Sequence, residues 1–142
     1  MTRLDHCNIR TLDLPATIGF YSDVLDLKPS FFPGSSDRGA WLHDSTDRPV
    51  IHLVAVDPAD PAGSIAAIRG MRGEDGGGFE PTMLRGSGAI DHIAFECTDY
   101  EAMEGRLQAL DLRYTANEVE SIGLRQLFVS DPNGITVELN FR

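Results

Sequence analysis

The sequence predicts an α+β fold built from two copies of one βαβββ module. Three observations support this: the chain repeats itself at a spacing of 86 residues, each half reads as a strand, a helix and three strands, and a glycine-rich segment separates the halves. At 142 residues, the chain has room for one such domain. We therefore divide residues 1–142 into a first module (1–56), a linker (57–88) and a second module (89–142).

The repeat appears when 86 is added to positions near the start of the chain. Residues 4–6 (Leu-Asp-His) then fall on residues 90–92 (Ile-Asp-His). Near the end of each half, residues 51–53 (Ile-His-Leu) fall on residues 137–139 (Val-Glu-Leu) at the same spacing. Identities are few, but order, spacing and element type are kept together, which indicates an internal duplication.

The elements of the first half each have their own signal. Residues 3–10 alternate or run apolar, as a strand does. Asp13 is a helix N-cap, Pro15 suits the first turn, and one apolar face is formed by Ile18, Tyr21 and Leu25. Three strands are then expected, at residues 28–32, 38–43 and 50–56.

The second half repeats this order. Residues 89–97 read as a strand, and Thr98 or Asp99 caps a helix. The apolar stripe of that helix is formed by Tyr100, Met103, Leu107 and Leu110. Strands follow at residues 113–119, 124–130 and 135–141, and a strong turn signal, Asp-Pro-Asn-Gly at 131–134, separates the last two.

The segment between the halves differs in composition. Residues 57–88 hold eight of the fourteen glycines. We expect a short helical turn at residues 62–69 and mobility at residues 73–78, where glycine is densest. The segment is interpreted as a linker and a candidate lid.

Charge and composition exclude several classes of function. Twelve basic and 22 acidic residues give a net charge of −10, which repels phosphate backbones and anionic lipid. No apolar run approaches the about 20 residues of a membrane span, and the N-terminus lacks the apolar region of a signal peptide. The two cysteines, Cys7 and Cys97, lie in apolar stretches and do not form a disulfide framework. These features predict a soluble, cytoplasmic protein that binds neither nucleic acid nor membrane.

Three histidines and one glutamate occupy equivalent positions in the two halves: His6 and His92 in the first strands, and His52 and Glu138 in the last strands. Since side chains alternate along a strand, the apolar neighbours of these residues lie on the opposite face. Two polar half-sheets related by a two-fold axis would bring the four together. Three imidazoles and a carboxylate suit a divalent transition ion, with Zn, Ni, Co, Mn and Fe all plausible. The alternative is a solvated sheet face.

Three segments also resemble a known family. They are residues 4–10 (Leu-Asp-His-Cys-Asn-Ile-Arg), 19–27 (Gly-Phe-Tyr-Ser-Asp-Val-Leu-Asp-Leu) and 131–139 (Asp-Pro-Asn-Gly-Ile-Thr-Val-Glu-Leu). Together they are similar to the vicinal oxygen chelate superfamily, which includes glyoxalase I, methylmalonyl-CoA epimerase, fosfomycin-resistance proteins and extradiol dioxygenases. The resemblance implies an eight-stranded cupped half-barrel around a metal. It also implies a homodimer, with modules paired within one chain or across two.

The ligand positions implied by the resemblance are His6, His52, His92 and Glu138. The function implied is a metal-dependent, glyoxalase-like lyase or isomerase acting on a small carbonyl-containing substrate. Glu138 and His52 are the candidate catalytic residues, although glyoxalase I carries Glu or Gln where this chain has His52. In the seventh strand Gln126 and Phe128, if they point inward, would contact substrate.

Two alternatives come from the same resemblance. An iron dioxygenase would use His6, His92 and Glu138, but this group normally has a tyrosine where Phe128 stands and a histidine several residues earlier. A drug-binding protein of the bleomycin-resistance kind would need no metal, yet such proteins usually lack the inward His/Glu set. Fosfomycin-type thiol transfer fits the ligand set, but no cationic cluster for a phosphonate is evident in the sequence.

Other chemically capable residues have simpler interpretations. An apolar pocket wall or the core would explain Phe31, Phe32 and Trp41 equally well. His43 lies beside a predicted hairpin and is expected at the surface. Cys7 points to the apolar side of its strand and is expected in the core.

Overall fold

A computed structural model describes residues 2–31, 36–71, 73–74 and 78–142. The chain divides into two compact units, Met1–Leu84 and Arg85–Arg142. Each unit carries one four-stranded sheet. The predicted class, α+β with two βαβββ modules and eight strands, is confirmed.

The first unit begins with one complete βαβββ module. Asp13 caps its first helix by accepting a hydrogen bond from the backbone N–H of Ala16 at 3.0 Å. The helix ends at Asp26, which adopts the left-handed conformation with φ of 56°. The elements are β1 (Cys7–Thr11), α1 (Leu14–Leu25), β2 (Lys28–Ser30), β3 (Gly39–His43) and β4 (Pro49–Ala55).

The sheet of the first unit has the order β1-β4-β3-β2. The first and last strands pair in parallel and the other pairs are antiparallel. This arrangement places β1 beside β4, so residues from the two ends of the module become neighbours. One face of the sheet is apolar and fully buried at Ala40, Leu42, Ile51 and Leu53.

The segment after β4 also folds onto the first unit. It contains α2 (Pro61–Met71) and a 3-10 turn at Pro81–Leu84. Val56, Ile65 and Leu84 form a buried cluster against which Ile68 and Phe79 pack. The helix is longer than the turn expected at residues 62–69. Of the stretch expected to be mobile, 73–78, residues 75–77 lie outside the described part of the chain.

The second unit repeats the module. Asp99 accepts a hydrogen bond from the backbone N–H of Ala102 at 3.0 Å and so caps the helix. Asp131 closes the last turn by accepting hydrogen bonds from the N–H groups of Asn133 and Ile135, at 2.8 Å and 2.9 Å. The elements are β5 (His92–Glu96), α3 (Tyr100–Ala109), β6 (Tyr114–Val119), β7 (Leu124–Ser130) and β8 (Thr136–Phe141).

The second sheet has the order β5-β8-β7-β6, with β5 and β8 parallel. The first strands are shorter than predicted, because pairing starts at Cys7 and His92 instead of residues 3 and 89. Among the described residues, no helix combines the length and apolar character that a membrane span requires.

Candidate metal and substrate site

The first unit brings His6 and His52 together. His52 lies in the middle of β4, and its neighbours Ile51 and Leu53 are fully buried on the opposite face. His6 immediately precedes β1, the strand that pairs with β4. The centroids of the two imidazole rings are 6.1 Å apart. The alternation predicted from the sequence therefore places both histidines on the less buried face.

Two neighbours fix the ring of His52. Trp41 lies opposite His52 in the register of β3 and β4, and their rings stack at 4.1 Å with an interplanar angle of 7°. Asn8 Nδ2 lies 2.9 Å from His52 Nδ1. Partial burial, and secondarily the nearby His6, lower the pKa of His52. Because the Asn8 amide N–H donates to Nδ1, a neutral His52 carries its proton on Nε2, and Nε2 can bind a metal ion only when the Asn8 amide turns its oxygen toward Nδ1.

The second unit brings His92 and Glu138 together at the equivalent positions. His92 begins β5, and Glu138 lies in β8 opposite Ala94. His92 Nε2 is 3.0 Å from Glu138 Oε2. Glu138 is only 8% exposed, so its carboxylate is a buried charge that needs polar partners.

A carboxylate precedes the first-strand histidine in both units. His6 Nδ1 lies 2.7 Å from Asp5 Oδ2, and His92 Nδ1 lies 2.8 Å from Asp91 Oδ2. The hydrogen bond with His6 lowers the pKa of Asp5. In the second unit, the hydrogen bond to the Asp91 carboxylate, together with the negative charge of Glu138, raises the pKa of His92. A carboxylate on Nδ1 is the usual way to orient a metal-binding histidine through Nε2. The sequence held this signal, since the Asp-His pair is repeated, but sequence reasoning assigned it no role.

Amide side chains surround Glu138. Gln126 Nε2 donates to Glu138 Oε1 at 3.0 Å, and Asn140 Nδ2 donates to the same oxygen at 2.7 Å. Gln126 is buried, and its hydrogen bonds to Glu138 and Asn140 place its amide on the same face of the sheet as Glu138. Phe128, the other expected substrate contact, is half-buried and pairs with Glu138 across β7 and β8.

A cavity of about 560 Å³ adjoins His6 in the first unit. Arg10, from β1, and Arg69, from α2, give it two positive charges against the one negative charge of Glu74. Arg10 also donates to the carbonyl oxygen of Met83 at 3.2 Å. Sequence reasoning missed this cluster. The signal was the two-residue period of β1, which puts Arg10 on the same side as His6 and Asn8. The full lining is His6, Asn8, Arg10, Ile68, Arg69, Glu74 and Met83.

The remaining candidates lie elsewhere. His43 ends β3 half-buried, with Nε2 3.0 Å from Ser30 Oγ. Phe31 is 45% exposed, and Phe32 lies outside the described residues. Both cysteines are free, and partial burial raises the pKa of the Cys7 thiol. None of these groups adds to the cluster of His6 and His52.

In the described part of each unit, no three His, Cys, Asp or Glu residues form a group that could hold a metal ion. The four predicted ligands are therefore supplied two by two, His6 and His52 from the first unit and His92 and Glu138 from the second. Their convergence on one ion stays a prediction.

Duplicated βαβββ modules, each with a histidine at its first strand and a His or Glu in its last, define a class of two-module proteins. The chain belongs to the Glyoxalase/Bleomycin resistance protein/Dioxygenase superfamily, whose family model matches residues 3–139.

Relatives and solved structures agree with this membership. "Glyoxylase I 4" of Arabidopsis thaliana is 27% identical over 98% of this chain and 70% of its own length. The lactoylglutathione lyase structure from Agrobacterium tumefaciens has a TM-score of 0.60 at 18% identity, over 99% of this chain and 94% of that one. A mutant of the fosfomycin resistance protein FosX from Listeria monocytogenes, complexed with Mn(II) and 1S,2S-dihydroxypropylphosphonic acid, has a TM-score of 0.64 at 14% identity, over 98% and 89%. At such identities, the two structures establish the fold alone.

Proposed function

We propose that this protein is a metal-dependent, glyoxalase-like lyase or isomerase that acts on a small carbonyl-containing substrate. The observation that carries the proposal is the Asp-oriented histidine repeated in both units, each beside a second ligand candidate. A solvated sheet face has no need to place a carboxylate on Nδ1 of the histidine at both repeat-equivalent positions. A metal site does.

The donor set fits a divalent transition ion held by His6, His52, His92 and Glu138. Imidazole nitrogen and carboxylate oxygen are ligands of Zn, Ni, Co, Mn and Fe. His92 Nε2 and Glu138 Oε2 lie 3.0 Å apart as an ion pair, so two candidate ligand atoms meet at one point of the second unit. The identity of the metal follows from availability as much as from these ligands.

The substrate would enter beside these residues. Arg10 offers a guanidinium to a substrate oxygen, while Ile68 and Met83 give the cavity apolar surface. Phe128 would provide an apolar contact next to Glu138. A bound divalent ion supplies Lewis-acid polarisation of a carbonyl. Glu138 or His52 would move the proton beside that carbonyl.

Assembly and location follow the same proposal. The family resemblance implies a homodimer, in which the modules pair within a chain or across two. Two free cysteines suit a reducing, cytoplasmic location.

The cavity arginines favour a second candidate, a reaction on a small oxygenated phosphonate. The sequence showed no cationic cluster for such a group, whereas Arg10 and Arg69 line one cavity with His6. Arginine is well suited to bind phosphonate and carboxylate oxygens. A phosphonate epoxide therefore belongs in any substrate screen.

Metal content tests the proposal. Metal content should be measured by mass spectrometry on protein purified without chelator and on protein reconstituted anaerobically with each candidate metal. Both samples should contain about one metal ion per proposed site. His92→Ala should lose the metal, while the matched control His43→Ala, which removes a histidine outside the site, should keep it. Reconstituted protein should then turn over a member of a panel of hemithioacetals, other carbonyl compounds, a phosphonate epoxide and catechols. Wild-type protein that binds no metal, yet binds a drug of the bleomycin type, would overturn the proposal.

A further inference from the structure

A connected row of amide side chains leads from the surface of the second sheet to Glu138. Asn117 in β6, Gln126 in β7 and Asn140 in β8 are cross-strand neighbours. Asn117 Nδ2 donates to Gln126 Oε1 at 2.7 Å, and Gln126 Nε2 donates to Asn140 Oδ1 and to Glu138 Oε1, both at 3.0 Å. Both N–H groups of Gln126 and its carbonyl oxygen are therefore engaged with protein.

The row fixes the orientation of Glu138. Its Oε1 accepts from two amides, Gln126 at 3.0 Å and Asn140 at 2.7 Å, whereas its Oε2 lies beside His92 Nε2. Turning the plane of the carboxylate out of this orientation would leave buried amide donors with poorer partners. The amides thus present one defined oxygen, Oε2, on the side of His92.

The described part of the first unit shows no such row. There His52 stands where the second unit has Glu138, and it is held by a single amide, Asn8. Val54 is the residue that corresponds to Asn140 in the repeat. Its partner across β3 and β4 is Gly39. A Cβ at Gly39 would lie 2.2 Å from the carbonyl oxygen of Leu53, so no longer side chain fits. Among the described residues, the amide row lies beside Glu138 and has no counterpart beside His52, which indicates that it serves the carboxylate and not the sheet.

We propose that Gln126 is a positioning residue that fixes the plane of the Glu138 carboxylate, so that one oxygen stays on the amide donors and the other is offered to a metal ion, with Asn117 fixing the polarity of the Gln126 amide. This inference rests on the proposed metal-dependent function. It replaces the direct substrate contact that the sequence suggested for Gln126.

The polarity of the row gives a test by sign. An Asp side chain at position 117 cannot donate to Gln126 Oε1. If the Gln126 amide flips so that its N–H group donates to this Asp, its oxygen then faces the Glu138 carboxylate and the amide can no longer donate to it. Asn117→Asp should therefore weaken cation binding. A new negative charge that acts only through space would strengthen it. Thr115→Asp is the matched control, since residue 115 is exposed, lies on the same face of β6 and takes no part in the row.

The experiment measures Mn²⁺ binding by calorimetry and by electron paramagnetic resonance of free Mn²⁺. Gln126→Met, which keeps volume and removes all three hydrogen bonds, should weaken binding about 10–100-fold. Asn117→Asp should weaken it by a smaller factor, and Thr115→Asp should bind as tightly as wild type or slightly more tightly. In NMR spectra, the side-chain N–H signals of Gln126 should exchange slowly in wild type and shift in Asn117→Asp.

The outcomes separate the two proposals. If wild type binds Mn²⁺ and both Gln126→Met and Asn117→Asp bind it equally well, Gln126 only fills space and the inference fails alone. If Gln126→Met does not fold, Asn117→Asp decides, because residue 117 is exposed and its substitution spares the core. If wild type binds none of the candidate metals, the proposed function fails and takes this inference with it.

Discussion

The two units have equivalent buried cores, but they differ in the side chains around their candidate ligands. Leu53 and Leu139, equivalent in the repeat, are both fully buried, and so are Tyr21 and Leu107 on the equivalent helices. The side chains beside the ligand candidates are unlike: a stacked tryptophan, Trp41, in the first unit and a row of amides in the second. The duplicated backbone and core thus determine the positions of the candidate ligands. The neighbouring side chains determine whether an imidazole or a carboxylate is stable at each position.

The chemistry of each ligand explains the difference. A neutral imidazole has a single acceptor nitrogen and a flat ring; His52 accepts from Asn8 at Nδ1 and stacks on Trp41. A buried carboxylate has two oxygens that need donors. Glu138 finds them in Gln126 and Asn140, with His92 on the other oxygen.

The shared core predicts the largest effect, on stability. Leu53→Ala and Leu139→Ala should each lower the free energy of unfolding by about 2–5 kcal/mol, because both remove a fully buried side chain and leave a cavity. Denaturant unfolding measures the loss, and Leu110→Ala, at a partly exposed position, is the control. A much larger loss in one unit would mean that the two cores are not equivalent.

The second expected effect concerns metal affinity and follows from the different candidate ligands, a carboxylate at Glu138 and an imidazole at His52. Glu138→Gln should weaken binding on the order of 100-fold or more, since it removes the only formal charge of the set. His52→Gln should cost less, because the resemblance implies that glyoxalase I uses Gln or Glu there. Calorimetric titration with Mn²⁺ or Zn²⁺ ranks the two, with circular dichroism to establish folding. The reverse ranking would contradict the division of roles between the units.

The sequence predicted the parts of this comparison that follow from periodicity. The 86-residue repeat located the two modules, and strand alternation placed His52 and Glu138 opposite the apolar faces. It did not predict the full length of α2, because Gly63 and Gly70 weaken the helical pattern of that segment. Nor did it find the cavity at Arg10, since that cavity needs α2 folded against β1. Contacts between distant segments carry no local signal.

The repeated Asp-His pair predicts a smaller and equal effect in the two units. Asp5→Asn and Asp91→Asn should each weaken metal binding about 10-fold, toward the low end for residues that orient a ligand, because both carboxylates are largely exposed. Asp23→Asn, an exposed substitution on α1, should have no effect. Unequal losses measured by calorimetry would show that the units orient their histidines by different means.

The smallest effect is spectroscopic and tests the first unit alone. Trp41 is the only tryptophan of the chain, and it stacks on His52 at 4.1 Å. A paramagnetic ion bound to His52 would therefore sit close to the indole, and Co²⁺ or Ni²⁺ should reduce tryptophan fluorescence with the same midpoint as calorimetric binding. His52→Gln moves that contact away from the ring and should diminish the change, whereas His43→Ala should leave it intact. Full fluorescence at saturating metal would place the ion away from both histidines of the first unit, because the ring centroid of His6 also lies 4.8 Å from that of Trp41.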